Sequence, residues 1–317
     1  MRRTSVARLV QDNQERLRLT HLSGPLDNEL HVPDEKVWPA ELIGHLNVIH
    51  PNRVQVMGEA ELAWIRRQGR DKVQHMLESI LLANPPALIL ADGCEMPDAI
   101  QSVVEHTGTA VLASPFETAR VIDSLRTYLA RTLAEKTSLH GVFMDVLGLG
   151  VLITGDSGAG KSELALELIS RGHGLVADDV VEISRIAPGV LEGRCPELLR
   201  NFLEVRGLGI LNIRTIFGET ACRRKMKLKL VVHLHRQQRG EGVQAPRLPL
   251  EDDVQEIVGV PVRRVTLPVA AGRNLAVLLE AAVRNTILQL RGIDSLQEFV
   301  ERQRDALDAD MGDIETL

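Results

Sequence analysis

Residues Gly148–Glu163 read Gly-Leu-Gly-Val-Leu-Ile-Thr-Gly-Asp-Ser-Gly-Ala-Gly-Lys-Ser-Glu. An apolar run, Gly148–Thr154, leads into the octapeptide Gly155-Asp156-Ser157-Gly158-Ala159-Gly160-Lys161-Ser162, which fits G-x-x-x-x-G-K-[ST]. A helical pattern follows over Lys161–Arg171 and stops at Gly172. Strand, glycine-rich loop and helix in that order predict a phosphate loop. Gly155, Gly158 and Gly160 let the backbone curl so that its N–H groups face one point. The helix N-terminus adds partial positive charge there. Lys161 is placed to neutralise the β- and γ-phosphates of a nucleotide, and Ser162 to meet Mg²⁺. The competing reading is a glycine-rich turn that only caps a helix.

Working outward, Leu175-Val176-Ala177-Asp178-Asp179 begins 14 residues after Lys161. Two carboxylates at the end of a buried strand sit where open α/β sheets bind ligands. One can hold Mg²⁺ and the other can take a proton from an attacking hydroxyl. Adjacent carboxylates raise each other's pKa, which suits proton exchange. A polar strand exit with both aspartates in water is the alternative. A second glycine segment, Leu203-Glu204-Val205-Arg206-Gly207-Leu208-Gly209-Ile210, flanks its glycines with one acid and one base. Glu204 could complete a metal shell, or the segment could be a β-turn with a surface ion pair. In Arg223–Leu230, Lys225, Lys227 and Lys229 alternate with Met226, Leu228 and Leu230. That alternation predicts either a solvated edge strand guarded by lysines or a basic face near an anionic ligand. A lone His140 precedes the strand into the loop, and by itself it reads as an ordinary core or surface histidine. No Asn-Lys-x-Asp motif follows the loop, and no HRD or DFG set occurs. These absences argue against a regulatory GTPase and an ordinary eukaryotic-type kinase.

The rest of the chain sets the frame. At 317 residues, two domains are the natural expectation. Apolar residues make up 44% and charged residues 25%, the balance of a globular protein rather than a disordered or coiled-coil one. Aromatics at 3% leave the core to aliphatic residues and give little stacking surface for single-stranded nucleic acid. The net charge of −6 is carried wholly by Asp294–Leu317, which holds 8 acidic and 2 basic residues. That tail predicts a solvated helix with a frayed end, and the neutral remainder predicts no nucleic-acid partner. Cys94, Cys195 and Cys222 are scattered and odd in number, which suits neither a disulfide framework nor a zinc module. No signal peptide or membrane span is predicted, so the cytoplasm is the expected compartment.

Between Arg53 and Tyr128 short apolar runs alternate with helical patterns. Strands are predicted at Arg53–Met57, Pro86–Ala91 and Thr109–Ala113, and helices at Glu59–Arg66, Lys72–Leu82 and Pro97–His106. Ser114-Pro115-Phe116-Glu117 reads as a capped helix start, with Ser114 at the N-cap, Pro115 at the first helical position and Glu117 closing a capping box. The helix it opens should run to Leu133, with Val121, Leu125, Leu129 and Leu133 on one face. Residues 1–133 are thus expected to form a small α/β domain for assembly or regulation, and 134–317 the catalytic domain. Further strands are expected at Val180–Ile186 and Leu228–Leu234, and helices at Arg273–Leu290 and Ser295–Leu307.

Taken together, GDSGAGKSE (Gly155–Glu163), LVADD (Leu175–Asp179), LEVRGLGILNIRTIFG (Leu203–Gly218) and GRNLAVLLE (Gly272–Glu280) resemble bacterial HPr kinase/phosphorylase. The resemblance implies a phosphate-loop core like that of phosphoenolpyruvate carboxykinase. It implies ATP and Mg²⁺ as cofactors, and phosphorylation of a serine on HPr, a phosphocarrier protein of the sugar phosphotransferase system. It also implies removal of that phosphate by inorganic phosphate to give pyrophosphate, and a homohexamer. By similarity Lys161 binds phosphates, Ser162 and Glu204 hold Mg²⁺, Asp179 exchanges the proton with Asp178 beside it, and His140 and Arg247 join the active site. Many family members carry V-R-P-G-R-N where this chain has Val269-Ala270-Ala271-Gly272-Arg273-Asn274, a segment associated with the phosphorylase direction. Two other classes stay open: a small-molecule kinase on the same core, and a nucleotide-binding regulator without transfer activity.

Overall fold

A computed structural model of the chain describes residues 2–33, 37–47, 49–50, 52–68, 70–104, 106–236, 253–270 and 272–314. The chain divides into two compact units, Met1–Glu135 and Lys136–Leu317.

The first unit opens with β1 (Arg3–Ser5), α1 (Val6–Leu17), β2 (Thr20–Ser23), β3 (Glu29–His31) and β4 (Ile43–His45). Then come β5 (Val54–Met57), α2 (Glu59–Arg67), α3 (Arg70–Leu81), β6 (Ala87–Leu90), α4 (Asp98–Val104), β7 (Ala110–Ala113) and α5 (Thr118–Thr132). The sheet runs β2-β7-β6-β5-β4, with β4 to β7 mutually parallel and β2 antiparallel at the edge. Successive side chains point to opposite faces. Val54, Val56, Ile89 and Leu112 accordingly pack with α1 and α5, whereas Met57, Leu88, Leu90 and Val111 pack with α2, α3 and α4. The strands and helices from Arg53 onward fall where the alternation predicts them. The three-residue strands β1 and β3 leave too short a pattern to read, whereas α1 carries a legible helical spacing, Val6, Leu9, Val10, Asn13 and Leu17, that the sequence reading passes over.

The start of α5 differs from expectation. The helix begins at Thr118, its N-cap is Glu117, and no side chain of that residue caps it. Ser114 is not the cap: its Oγ donates to Leu17 O at 2.8 Å and accepts from Phe116 N–H at 3.3 Å. Pro115 therefore lies before the helix. Asp92, from the loop after β6, supplies the cap. Its carboxylate accepts from Thr118 N–H (2.9 Å), the Thr118 hydroxyl (3.0 Å) and Glu59 N–H at the head of α2 (2.9 Å). The predicted face of α5 holds, since Val121, Leu125, Leu129 and Leu133 are all buried.

The second unit comprises β8 (Glu135–His140), β9 (Val142–Val146), β10 (Leu149–Gly155), α6 (Lys161–Ser170), β11 (Gly174–Ala177), β12 (Val180–Ala187) and β13 (Val190–Arg194). It continues with β14 (Phe202–Val205), β15 (Gly209–Asn212), α7 (Ile213–Phe217), β16 (Lys225–Arg236), β17 (Val254–Ile257), β18 (Val260–Val269), α8 (Leu275–Leu290) and α9 (Ser295–Ile314). A nine-stranded sheet runs β11-β9-β10-β16-β13-β12-β8, with β18 beside β16 and β17 beside β18. Val151 and Ile153 face α6 and α8, and Leu152 faces the opposite core layer with Phe143, Val176 and Val231.

Strand β16 bears out the edge-strand reading in part: Lys225–Lys227 pair with β13 on one side, β10 joins the other side only from Leu228, and from Leu230 onward the strand lies inside the sheet between β10 and β18. Lys225, Lys227 and Lys229 are exposed and Leu228 and Leu230 buried, but the simple alternation breaks at Lys229: the register shifts there, and Leu228 packs in the core layer of Phe143 and Val231 while Leu230 packs in that of Val151 and Val232. The second glycine segment is a hairpin, β14 against β15, with Glu204 opposite Ile210. Helix α9 runs past its expected end to Ile314.

Candidate functional site

Three segments meet at one edge of the large sheet. Strand β10 is parallel to β16, and β16 to β18, so their C-terminal ends share an edge. Strand β11 is antiparallel to β9, which is antiparallel to β10, so the end of β11 lies on that edge as well. The loop Gly155–Gly160, the pair Asp178–Asp179 and the segment after Val269 all leave the sheet there.

The glycine loop turns sharply from β10 into α6. Gly155, Gly158 and Gly160 have φ of 141°, 77° and 90°, a region that favours glycine. At Gly155 the reason is also steric: a Cβ there would lie 2.5 Å from Leu234 O on the neighbouring strand. Ala159 is buried and its N–H donates to Asp156 O at 3.1 Å, while Asp156 and Ser157 are exposed. Helix α6 starts after Gly160 without a side-chain cap, so no capping side chain takes up its first-turn N–H groups. Its buried face is Leu164, Ala165, Leu168 and Ile169. The Lys161 ammonium donates to Gly155 O at 2.9 Å and Asp156 O at 3.0 Å, which fixes it against the loop. Ser162 follows it, half-buried in the first turn.

Asp178 and Asp179 are adjacent in sequence but differ in surroundings. Asp178 is half-buried, and its Oδ2 accepts from Glu204 N–H at 2.8 Å. Burial pushes its pKa up. Hydrogen bonds from the Glu204 and Asp179 N–H groups oppose this, and the negative charges of Asp179 and Glu204 add to it; the net direction is upward. The neighbouring carboxylate thus acts in the expected sense, with burial the larger cause. Asp179 is exposed, with φ 64°. His140 Nδ1 stands 3.6 Å from Asp179 Oδ1, and Asp179 O accepts from Gly141 N–H at 3.1 Å.

The hairpin β14–β15 brings the second glycine segment to the site. The N–H of Glu204 holds Asp178, while its exposed side chain adds charge near it. The Arg206 guanidinium reaches Gly158: a Cβ built there would lie 3.7 Å from Nη1. Among the described residues no group of three or more His, Cys, Asp or Glu side chains forms a metal cage. The donors present are hard oxygens, the kind Mg²⁺ takes alongside phosphate oxygens. Arg247 lies outside the described residues, as does Ala271 of the Val269–Asn274 segment.

Two neighbours of the site escape sequence reading. Cys195 accepts a hydrogen bond from the Asp178 backbone N–H, and burial pushes its thiol up to about 11. His233 Nδ1 lies 3.1 Å from Thr154 Oγ1, one residue before the loop. Neither carries a local signal, because each contact depends on which strands lie together. Among the described residues no helix is long and apolar enough to cross a membrane.

Comparison with known proteins matches both units to one family. Residues 4–129 match the model described as HPr Serine kinase N terminus, and residues 131–303 that described as HPr Serine kinase C-terminal domain. A relative from Azoarcus sp. (strain BH72), named HPr kinase/phosphorylase, is 67% identical over 317 residues, the whole of both chains. Relatives of the same name from Aromatoleum aromaticum and Bordetella parapertussis are 64% and 56% identical, covering 98% and 96% of this chain and 99% and 98% of theirs. A solved structure described as the Hpr(Ser) kinase/phosphatase from Coxiella burnetii is 35% identical over 51% of this chain and 98% of that one, with a TM-score of 0.46. With both units matched and identity of this order along the whole chain, the protein belongs to the HPr kinase/phosphorylase family.

Proposed function

We infer that this chain transfers the γ-phosphoryl group of ATP to a serine of HPr, and runs the reverse job by phosphorolysis. The observation that carries this reading is the 67% identity along the whole of both chains with a relative named for both activities. The site geometry supports it. Phosphoryl transfer asks a protein chiefly for positioning and charge stabilisation. Loop Gly155–Gly160 and the uncapped head of α6 offer backbone N–H groups to phosphate oxygens. Lys161 is already held against that loop by two carbonyls, and it neutralises charge as the γ-phosphoryl group moves.

Mg²⁺ fits the hard-oxygen donors present, and bound there it would supply charge neutralisation for the nucleotide's phosphates. Ser162 and Glu204 would hold it, with the nucleotide's own oxygens completing the shell. Asp179 is exposed and so within reach of a protein acceptor; it takes the serine proton as the serine oxygen attacks phosphorus and ADP leaves. In reverse it returns that proton to the departing serine oxygen while inorganic phosphate attacks, giving pyrophosphate. Asp178, held by Glu204 N–H, fixes the position of its neighbour, and His140 stands beside Asp179. Arg247 joins the site on resemblance. The cytoplasmic setting, the homohexamer and the carboxykinase-like core belong to the same reading.

The test uses γ-labelled ATP, Mg²⁺ and purified HPr, followed by inorganic phosphate and a pyrophosphate assay. Label should appear on an HPr serine and leave as pyrophosphate. Lys161→Ala should lower both directions by about 100-fold or more. Asp179→Asn should lose transfer while keeping nucleotide binding; if binding goes too, the residue is mainly a metal ligand. Label on no HPr serine, with nucleotide still bound, would overturn the reading. Kinase activity without pyrophosphate release would point to Ala270-Ala271, where many family members carry Arg-Pro.

A further inference from the structure

The N-terminal unit contains a cavity that phosphoryl transfer does not use. Its volume is about 410 Å³, within the range of roughly 300–1,000 Å³ that suits small organic ligands. The polar groups around it are His31 at the end of β3, His50, Asn52 and Arg53 just before β5, and Asn84 after α3. Leu30, Leu42 and Pro86 supply apolar wall, and both leucines belong to the core beneath.

In the lining, one guanidinium and two imidazoles stand against one carboxylate. Glu29 is the carboxylate in the lining, and it faces Arg3 at 3.4 Å. The half-buried Arg53 forms an ion pair with the more exposed Glu41 at 3.7 Å, beyond hydrogen-bond length, so an anion on its guanidinium would compete with that carboxylate. Its planar fork of five N–H donors is matched to a carboxylate or phosphate. His31 and His50 each present at least one ring N–H whatever their charge. Asn84 accepts from Gly108 N–H through Oδ1 at 3.4 Å, which leaves its NH₂ group as a further donor. A guanidinium, two imidazoles and amide donors over an aliphatic wall select a negative head group on an apolar body.

We propose that this cavity binds a small organic anion, with its carboxylate or phosphate group on Arg53 within reach of His31 and His50, and its hydrocarbon part against Leu30, Leu42 and Pro86. The site lies in the N-terminal unit and stands apart from the phosphoryl-transfer reading.

The test is calorimetric titration of the full chain with benzoate, phenyl phosphate and the neutral benzamide. One or both anions should bind with Kd of about 1 mM or tighter, and benzamide about tenfold more weakly or worse. Benzoate against phenyl phosphate decides which head group the site takes. Arg53→Gln should weaken the anion about tenfold. His50→Gln, at an exposed position that leaves the core untouched, should weaken it severalfold and guards against a folding defect in the first variant. No binding of either anion at ~10 mM would overturn the proposal. So would equal binding of benzamide, or unchanged binding in both variants. Binding lost in Lys161→Ala but kept in Arg53→Gln would put the anion at the glycine loop and overturn it as well.

Discussion

Gly155 is the residue at which the site's backbone leaves no choice of side chain. A Cβ there would meet the Leu234 carbonyl oxygen at 2.5 Å, and φ is 141°. At Gly160, φ is 90° but nothing lies within 4 Å of a Cβ. Gly160→Ala should therefore cost only the backbone strain of about 1 kcal/mol, whereas Gly155→Ala should cost about 2–4 kcal/mol. Thermal denaturation of the two variants checks this. If Gly155→Ala melts no lower than Gly160→Ala, the strand contact is relieved by some other movement. The octapeptide was legible because its chemistry is contiguous: glycines, lysine and serine act within one turn of chain. The unequal surroundings of Asp178 and Asp179 were not legible. They arise from Glu204 and Cys195, which reach Asp178 through a hairpin and a strand end distant in sequence.

Among the elements, α2 and α5 depend on one side chain between them. Asp92 accepts from the first N–H of each helix, Glu59 and Thr118, and from the Thr118 hydroxyl. Burial raises its pKa, but these three hydrogen bonds outweigh that and hold its carboxyl below the ordinary value. An N-cap removed costs roughly 1 kcal/mol, so Asp92→Ala, which removes two, should cost about 2 kcal/mol at neutral pH. The sign of the pH dependence follows. A carboxylate with a depressed folded pKa adds stability above its unfolded pKa, near 3.9, and loses it as pH falls through the folded value. The gap in stability between wild type and Asp92→Ala should thus be constant from about pH 5 to 7 and narrow below about pH 4. Chemical denaturation across that range tests it, and a gap that does not change would mean the carboxylate's charge plays no part. The start of α5 also shows why the sequence misled. Ser114-Pro115-Phe116-Glu117 has the residues of a capping box, but Ser114 is satisfied by Leu17 O and Phe116 N–H, and the true cap lies 26 residues upstream. The strands and helices between Arg53 and Tyr128 came through from periodicity, which is local, whereas β1–β4, α1, β8, β9, β13, β17 and β18 went unread; the capping partner is tertiary.

For the whole molecule, the decisive feature is that the two units keep separate hydrophobic cores. Leu9, Val56, Leu125 and Leu77 belong to clusters drawn from the first unit alone, and Ile153, Leu168, Val231 and Leu279 to clusters drawn from the second. Cooperative unfolding follows shared packing, so chains with separate cores depart from a single two-state transition. The loop, Lys161, Ser162, Asp178 and Asp179 all lie in the second unit. A ligand that binds only the folded form stabilises what it binds, by about 2.7 kcal/mol at 100 times its Kd. For a unit of this size that corresponds to roughly 5–10 °C. Calorimetry of the full chain should therefore show two transitions, with MgATP raising one and leaving the other in place. Lys161→Ala should remove the shift without moving the unliganded transitions by more than about 1–2 °C, because among the described residues its ammonium hydrogen-bonds to carbonyls of its own loop. One transition that MgATP moves as a whole would mean that the two cores melt as a single cooperative body, and the division of labour between them would fall with it.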